Sequence, residues 1–442
     1  MGGDGAVNGP AGSLQVRADV LQAPAPGVAE LLRGQVITVV DGVITDMSPA
    51  QALEPHVPAR LDGVLMPGLV DTHIHAPQWP QLGVGLDLGL ERWLFDLTFP
   101  LEARCADTGY AVDVWNHMVP TLLGLGTTTA VYHASTHVEA TTALAEACVR
   151  HGQRAVIGRV AMDHPEGTPE WYRDADAAAA VSASRRSIDE IRGLGSSLVQ
   201  PIITPRFIPA CSDAALVGLG ELAADTGVTV QTHAAESDWQ HGAVMERTGL
   251  RDVHALESFG LLRDHTVLAH GTHVDASDLS RLAATGAGVS HCPLSNSYFA
   301  NAVFPARRVL DAGVRVGLGT DVAGGPSASL WHNAAHAVTV SRMLSDGVDP
   351  DGAVHRGDVR IDAATAMWMA TSGGADLVGL PVGLLAIGRR FDALQVVVDD
   401  RSGVRSVSPE SRAHDDIAAE WLERVMRAPD VRAVWVDGIA VV

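Results

Sequence analysis

The chain has 442 residues, 47% of them apolar, and a formal net charge of −21; it is long enough for a large core with a minor domain beside it, and too acidic for a surface that tracks nucleic-acid phosphate or an anionic membrane. No stretch approaches the roughly eighteen uninterrupted apolar residues of a membrane-spanning helix. The N-terminal MGGDGAVNGPAGS lacks the basic and apolar regions of a signal peptide, and Cys105, Cys148, Cys211 and Cys292 form no C-x-x-C pair, so a cytoplasmic protein in a reducing compartment is expected.

Residues 1–65 begin with a Gly/Pro-rich dozen and continue into QVITVVDGVITDM, where Asp-Gly between two short alternating runs signals a hairpin. Beyond it, short β-branched runs alternate with longer Ala/Leu-rich segments of helical spacing. The runs are VLMPGLVDTH (64–73), TTTAVYH (127–133), RAVIGRVAM (154–162), LVQPIITPRF (198–207), VTVQTH (228–233), TVLAHG (266–271), AGVSHCP (287–293) and VRVGLGTD (314–321). Between them lie predicted helices such as 140–152 and 213–227, the second closing on Gly227. Strands alternating with helices predict a parallel sheet, and eight such units predict a (β/α)8 barrel of the TIM type over 66–378. The rival, an open doubly wound sheet, would carry a Gly-rich phosphate turn after its first strand, and none is present. Residues 379–442 return to strand-like FDALQVVVDD (391–400) and VRAVWVDGIAVV (431–442). The expected fold class is therefore α/β, with a small β-sandwich-like domain built from both chain ends, 1–65 and 379–442, beside the barrel.

In barrel enzymes the chemistry sits at the C-terminal ends of the strands. Here those ends carry His73, His75, His133, Arg206, His233, His270, His291 and Asp321. Residues two apart on a strand share a face, so His73 and His75 aim together into the barrel mouth. His233 closes strand five, and Asp321 closes strand eight, which neighbours strand one in a closed barrel. Three imidazoles and a carboxylate suit Zn²⁺, and Fe²⁺ would also accept them. The chain contains no lysine, which excludes Schiff-base chemistry.

The HIH pair after strand one, the strand-five histidine, the histidine of LAHG and the aspartate of GLGTD together resemble the amidohydrolase superfamily, and the resemblance reaches the tail segment GLLAIGRRFDAL. Two-metal members generally bridge their ions with a carboxylated lysine, less often a glutamate or cysteine, from strand four. Strand four here reads VQPIITPRF, so the resemblance implies one metal ion held by His73, His75, His233 and Asp321. Mononuclear members are mostly deaminases, which makes Glu236, three residues after His233 in THAAESD, the implied proton carrier. The other zinc deaminase class carries H-x-E with P-C-x-x-C, and this chain has neither.

Closer still, HIHAPQWP, GLDLGLERWLFDLTFPLEAR, LGTTTAVYHASTH, GQRAVIGRVAMD, ITPRFIPACS, HCPLSNS and GLGTDVAGG resemble, in order, segments of the guanine deaminase family. That resemblance implies that Gln78, Arg206 and Phe207 hold a purine while Trp93 and Leu94 wall the pocket. Arginine offers only donors and glutamine both a donor and an acceptor, as a polar heterocycle requires. The implied reaction has a metal-activated water attacking C2 of guanine. Glu236 moves the protons, His270 orients the water, Asp321 accepts the last proton, and xanthine and ammonia leave. A homodimer acting on a small purine, with no nucleic-acid or membrane partner, is expected. The alternatives are a deaminase of a pterin, 8-oxoguanine or an aminotriazine, hydrolysis of a cyclic amide, which the missing lysine disfavours, and a non-catalytic scaffold. The stretch 163–184 departs from the family pattern in its run of alanines, and the linker near GLPVGLLAIG is shorter; His133, His137 and His291 receive no role.

Overall fold

Pro67 and Gly68 divide the first apolar run between two sheets. In the computed structural model, which describes residues 6–8, 12–50, 58–85, 87–299, 302–347, 359–397 and 414–442, Arg60–Pro67 runs in a sheet made by the chain ends and Leu69–His75 runs in the barrel. The single strand expected over 64–73 is thus two. Proline has no N–H for the ladder, and a Cβ on Gly68 would lie 2.1 Å from Thr128 Oγ1, so only glycine lets the chain pass this close to the next barrel strand.

Eight parallel strands follow one another around a ring. They are Leu69–His75, Thr127–His133, Arg154–Gly158 extended by Val160–Ala161, Val199–Pro201 extended by Thr204–Pro205, Gln231–Ala234, Val267–His270, Gly288–His291 and Arg315–Leu318. Leu318 pairs with Asp71 to join strand eight to strand one, and bridges from Ile203 to Val230 and from Phe207 to His233 join strand four to strand five. The ring is closed, as the alternation of runs predicts. Strands one and two are buried at every position, the pattern of a parallel sheet covered on both faces. The expected helices form as Val138–His151 and Asp213–Thr226, stopped by Gly152 and Gly227 at φ 77° and 68°, and Ser212 caps the second through Ala215 N–H.

The chain ends meet in one eight-stranded sheet, with Arg60–Pro67 antiparallel to Ala393–Val397. Two Asp-Gly turns serve it, Asp41-Gly42 at φ 50° and 77° and Asp437-Gly438 at φ 50° and 76°. Positive φ at both central residues matches the right-handed twist of the flanking strands. A helix, His414–Arg427, lies within the tail where only strands are expected; Ala418, Leu422 and Val425, four and three residues apart, give it one buried face. Among the described residues no helix is long and apolar enough to cross a membrane.

A buried ionic network fastens the barrel to this sheet. Arg154, at the start of strand three, donates through Nε to Asp392 Oδ2 at 2.8 Å and through Nη2 to Asp392 Oδ1 at 3.2 Å. It also pairs with Asp437, which Arg390 Nε holds at 2.6 Å. Removing one partner of such a network strands the other charge. Arg154→Ala is therefore expected to lower unfolding stability by about 3–5 kcal/mol, read from the denaturant midpoint, while metal content stays unchanged.

Candidate active site

The strand ends deliver the four ligand candidates to one point. His73 and His75 come from strand one, His233 from strand five and Asp321 from the turn after strand eight, and their ligand atoms lie within 4.8 Å of one another. His73 Nε2 is 3.1 Å and His75 Nε2 3.4 Å from Asp321 Oδ1. The turn continues the barrel pairing, since Asp321 N–H donates to His73 O at 2.9 Å and His75 N–H to Val322 O at 3.0 Å. Two glycines make room: a Cβ on Gly319 would sit 2.9 Å from His73 Cβ, and one on Gly324 would sit 2.7 Å from Asp321 Oδ2. Beneath, Asp71 accepts from Thr320 N–H at 3.0 Å and Thr320 Oγ1 at 2.6 Å, and burial pushes its carboxyl up to about 7 against these bonds.

The protonation pattern suits a cation. Burial, then the neighbouring imidazoles, hold His75 and His233 well below the ordinary histidine range, so both are neutral. His233 Nδ1–H donates to Arg206 O at 2.6 Å, which leaves a lone pair on Nε2. That atom faces His75 Nε2 at 2.9 Å. Burial works to raise the Asp321 carboxyl, yet the hydrogen bond and charge of His73, with His270 and His233, hold it below the carboxylate range. A lone pair, a facing imidazole and an ionised carboxylate converging in a buried mouth suit a divalent metal ion.

Beside them stand Glu236 and His270. Glu236 Oε1 is 3.6 Å from His270 Nε2, which is 3.9 Å from Asp321 Oδ2. His270 Nδ1 is 2.9 Å from Asn296 Oδ1, which fixes the ring, and its Nε2 makes no hydrogen bond within the chain. Burial raises the Glu236 carboxyl, with His270 acting in the opposite sense. The loop is clamped from behind. Thr272 Oγ1 donates to Ala235 O at 2.8 Å and to Glu236 O at 2.7 Å, while Asp252 Oδ1 accepts Ala235 N–H at 2.9 Å.

Ten of the eleven residues singled out from the sequence line one pocket of about 400 Å³: His75, Gln78, Trp93, Leu94, Arg206, Phe207, His233, Glu236, His270 and Asp321. His73, the eleventh, belongs to the ligand group. Trp93 meets Phe299 edge to face at 5.4 Å and Phe207 meets Trp239 at 5.9 Å, which gives the pocket apolar walls. Sequence reasoning missed Leu90, Trp239, Phe299 and Gly324 in the wall, and also Asp71, Glu102 and Asn296 behind it. Glu102 accepts from Gln78 Nε2 at 2.8 Å, from Arg206 at 2.6 and 3.1 Å, and from Tyr172 OH at 3.1 Å. Of the histidines without a role, His133 is buried against the rings of His73, His75 and His233, His137 precedes helix Val138–His151, and His291 packs on Phe304.

With this geometry in hand, the sequence profile of the amidohydrolase family matches residues 64–441. The chain belongs to the amidohydrolase family. Among amidohydrolase relatives, a probable guanine deaminase of Schizosaccharomyces pombe is 39% identical over 341 residues, covering 75% of this chain and 63% of its own length. The guanine deaminase of Mus musculus is 34% identical over 369 residues, covering 82% and 78%. The crystal structure of guanine deaminase from C. acetobutylicum with bound guanine superposes with a TM-score of 0.86 at 26% identity, covering 96% of this chain and 98% of that one. For an amidohydrolase metal centre of this build, His233→Ala is expected to weaken metal binding by more than the ~10–100-fold typical of losing a group behind a ligand. Metal per chain by elemental analysis after dialysis checks it.

Proposed function

We propose that this chain hydrolytically deaminates guanine to xanthine and ammonia, with one zinc ion per chain, as a cytoplasmic homodimer. One observation carries the reading: three members of a four-residue group that could hold a metal, a buried carboxylate beside it, and Gln78 and Arg206 line a single pocket with apolar walls. The guanine deaminases at 39% and 34% identity support it. Four free, buried cysteines fit a reducing compartment.

His73, His75, His233 and Asp321 would hold the ion, which when bound lowers the pKa of a water toward about 7 and so supplies a nucleophile at neutral pH. Every proton transfer then falls to side chains. Glu236 takes a proton from the attacking water and delivers it to ring N3, which makes C2 more electrophilic. His270, its ring held by Asn296, orients that water through Nε2. Asp321 takes the remaining hydroxyl proton, and that proton is passed to the exocyclic nitrogen as the C2–N bond breaks, so that the nitrogen leaves as ammonia and C2 keeps its oxygen as a carbonyl.

The slot explains why guanine fits. Gln78 Oε1 accepts Ala323 N–H at 2.9 Å and its Nε2 donates to Glu102, so the amide has an N–H left for a ligand. Arg206 holds Glu102 through Nη1 and Nη2, lines the pocket, and has further N–H groups that those two bonds leave over. Donors facing the ring select acceptors such as O6 and N7, and Trp93, Leu94 and Phe207 cover its faces. A pterin presents a similar pair of acceptors to the same donors and is the second reading; 8-oxoguanine and aminotriazines follow it.

Metal-loaded protein given guanine, 8-oxoguanine, a pterin and an aminotriazine is expected to release ammonia fastest from guanine, with xanthine as co-product. Turnover of the pterin with guanine inert would overturn the substrate. Glu236→Gln is expected to keep its metal and lose about 10²–10⁴-fold in kcat. Light scattering is expected to give twice 46.3 kDa.

A further inference from the structure

We propose that Glu102 is the specificity-determining positioning residue of the pocket: by ordering Gln78 and Arg206 it makes the polar edge of the slot donate only, so that an oxo group is accepted and an amino group at the same ring position is rejected. This rests on the purine reading above and assigns a role to a residue outside the pocket wall.

Glu102 lies on the short helix Phe99–Ala103 and is 2% exposed. Its two oxygens receive four donors. Oε1 takes Gln78 Nε2 and Arg206 Nη2, and Oε2 takes Arg206 Nη1 and Tyr172 OH. With its lone pairs so engaged, the carboxylate has no free acceptor for a ligand, and its influence passes through its partners. Gln78 is fixed at both ends. A flipped amide would set its carbonyl against the Glu102 carboxylate and its NH₂ against Ala323 N–H, two repulsions in place of two bonds. Arg206 is held in the forked geometry that only a carboxylate matches, with its guanidinium 4.9 Å above the Phe99 ring.

The fourth donor shows that this arrangement is built. Tyr172 belongs to the segment between strand three and the helix Ala177–Gly193, and that segment is anchored on both sides of it. Arg159 pairs with Asp174, whose Oδ2 also accepts Met162 N–H at 3.1 Å, and Asp163 accepts from Ser212 N–H and Oγ at 2.6 Å. Three separate parts of the barrel mouth therefore converge on one carboxylate.

An amide at position 102 removes the constraint. Its NH₂ could satisfy a flipped Gln78 carbonyl, which would turn the second lone pair of that oxygen toward the slot, and Arg206 would lose its forked partner. The test uses full-length, metal-loaded wild type, Glu102→Gln and Glu102→Asp, with metal per chain and thermal midpoint measured for each. Hypoxanthine and adenine lack a 2-amino group, so their affinities by calorimetry report the 6-oxo against 6-amino preference without turnover; guanine and 2,6-diaminopurine report it in ammonia release. Wild type is expected to prefer the oxo ligand by at least about 10²-fold. Glu102→Gln is expected to cut that ratio by about tenfold or more and to raise KM for guanine more than it lowers kcat, at unchanged metal content. Glu102→Asp keeps the charge near Arg206 but is too short to hold Gln78 as well, so its ratio should fall between the two. It carries the test alone if Glu102→Gln does not fold.

A folded, metal-loaded variant whose ratio stays within about twofold of wild type overturns the proposal, because a merely structural residue would lower the thermal midpoint and leave the preference intact. If the binding preference is present and collapses in the variant while guanine releases no ammonia, the positioning role stands and the deamination reading fails.

Discussion

Everything in the barrel mouth depends on holding lone pairs and a carboxylate against one another in a place almost closed to solvent. His73, His75, His233 and Asp321 are each less than a tenth exposed, and polar groups buried without partners are costly. The chain can place them there because a rigid ring fixes where each strand ends, and on the proposed reading a metal ion would turn mutual repulsion into ligation. Three non-glycine residues at or beside these groups adopt the left-handed region, Ala235 at φ 51°, His270 at φ 75° and Asp321 at φ 49°. Each such residue costs on the order of 1–3 kcal/mol and persists only where the surroundings over-determine it.

Those surroundings can be named. Ala235 has its N–H bound by Asp252 and its carbonyl by Thr272, and the same Asp252 bonds Gln240, whose Nε2 also donates to His233 O at 3.1 Å. His233 and the residue that presents Glu236 thus share one buttress. Asp71 does the equivalent for Asp321 through Thr320, and Asn296 does it for His270 by holding the ring at Nδ1. The reacting groups are few and the groups that aim them are many, as expected where geometry must hold to fractions of an ångström.

What the sequence discloses follows from how local each signal is. The eight strands are legible because a parallel strand buried on both faces is a continuous β-branched run, and the ligand set because histidines two apart at a strand end share a face. The division at Pro67-Gly68 is hidden because VLMPGLV reads as one apolar run whichever sheet each half joins. The tail helix His414–Arg427 carried a usable signal in Ala418, Leu422 and Val425, but short strand-like runs on either side of it drew the reading toward β structure. Glu102 is illegible for a stronger reason. Its partner Arg206 is 104 residues away, and nothing near LTFPLEAR separates a fully bonded interior carboxylate from a solvated one on a helix surface.

The division of labour between strands and loops bears on the one stretch that departs from the family pattern. The proposed metal donors come from strands one and five and the turn after strand eight, all within the ring, whereas the proposed substrate contacts and their supports come from the segments that follow strands one, three and four. Chemistry could therefore be retained while selectivity drifts, and an unusual 163–184 would be the place to look for drift. Its run of alanines, 177–180, falls in the helix Ala177–Gly193, capped by Asp176 through Ala179 N–H, on the outer layer of the barrel. The part that faces the site contributes Tyr172 and is pinned by Asp163 and Asp174. The departure thus lies in a covering helix, where alanine favours helical structure and packs closely, while the contacts that order the slot are built from the residues before it.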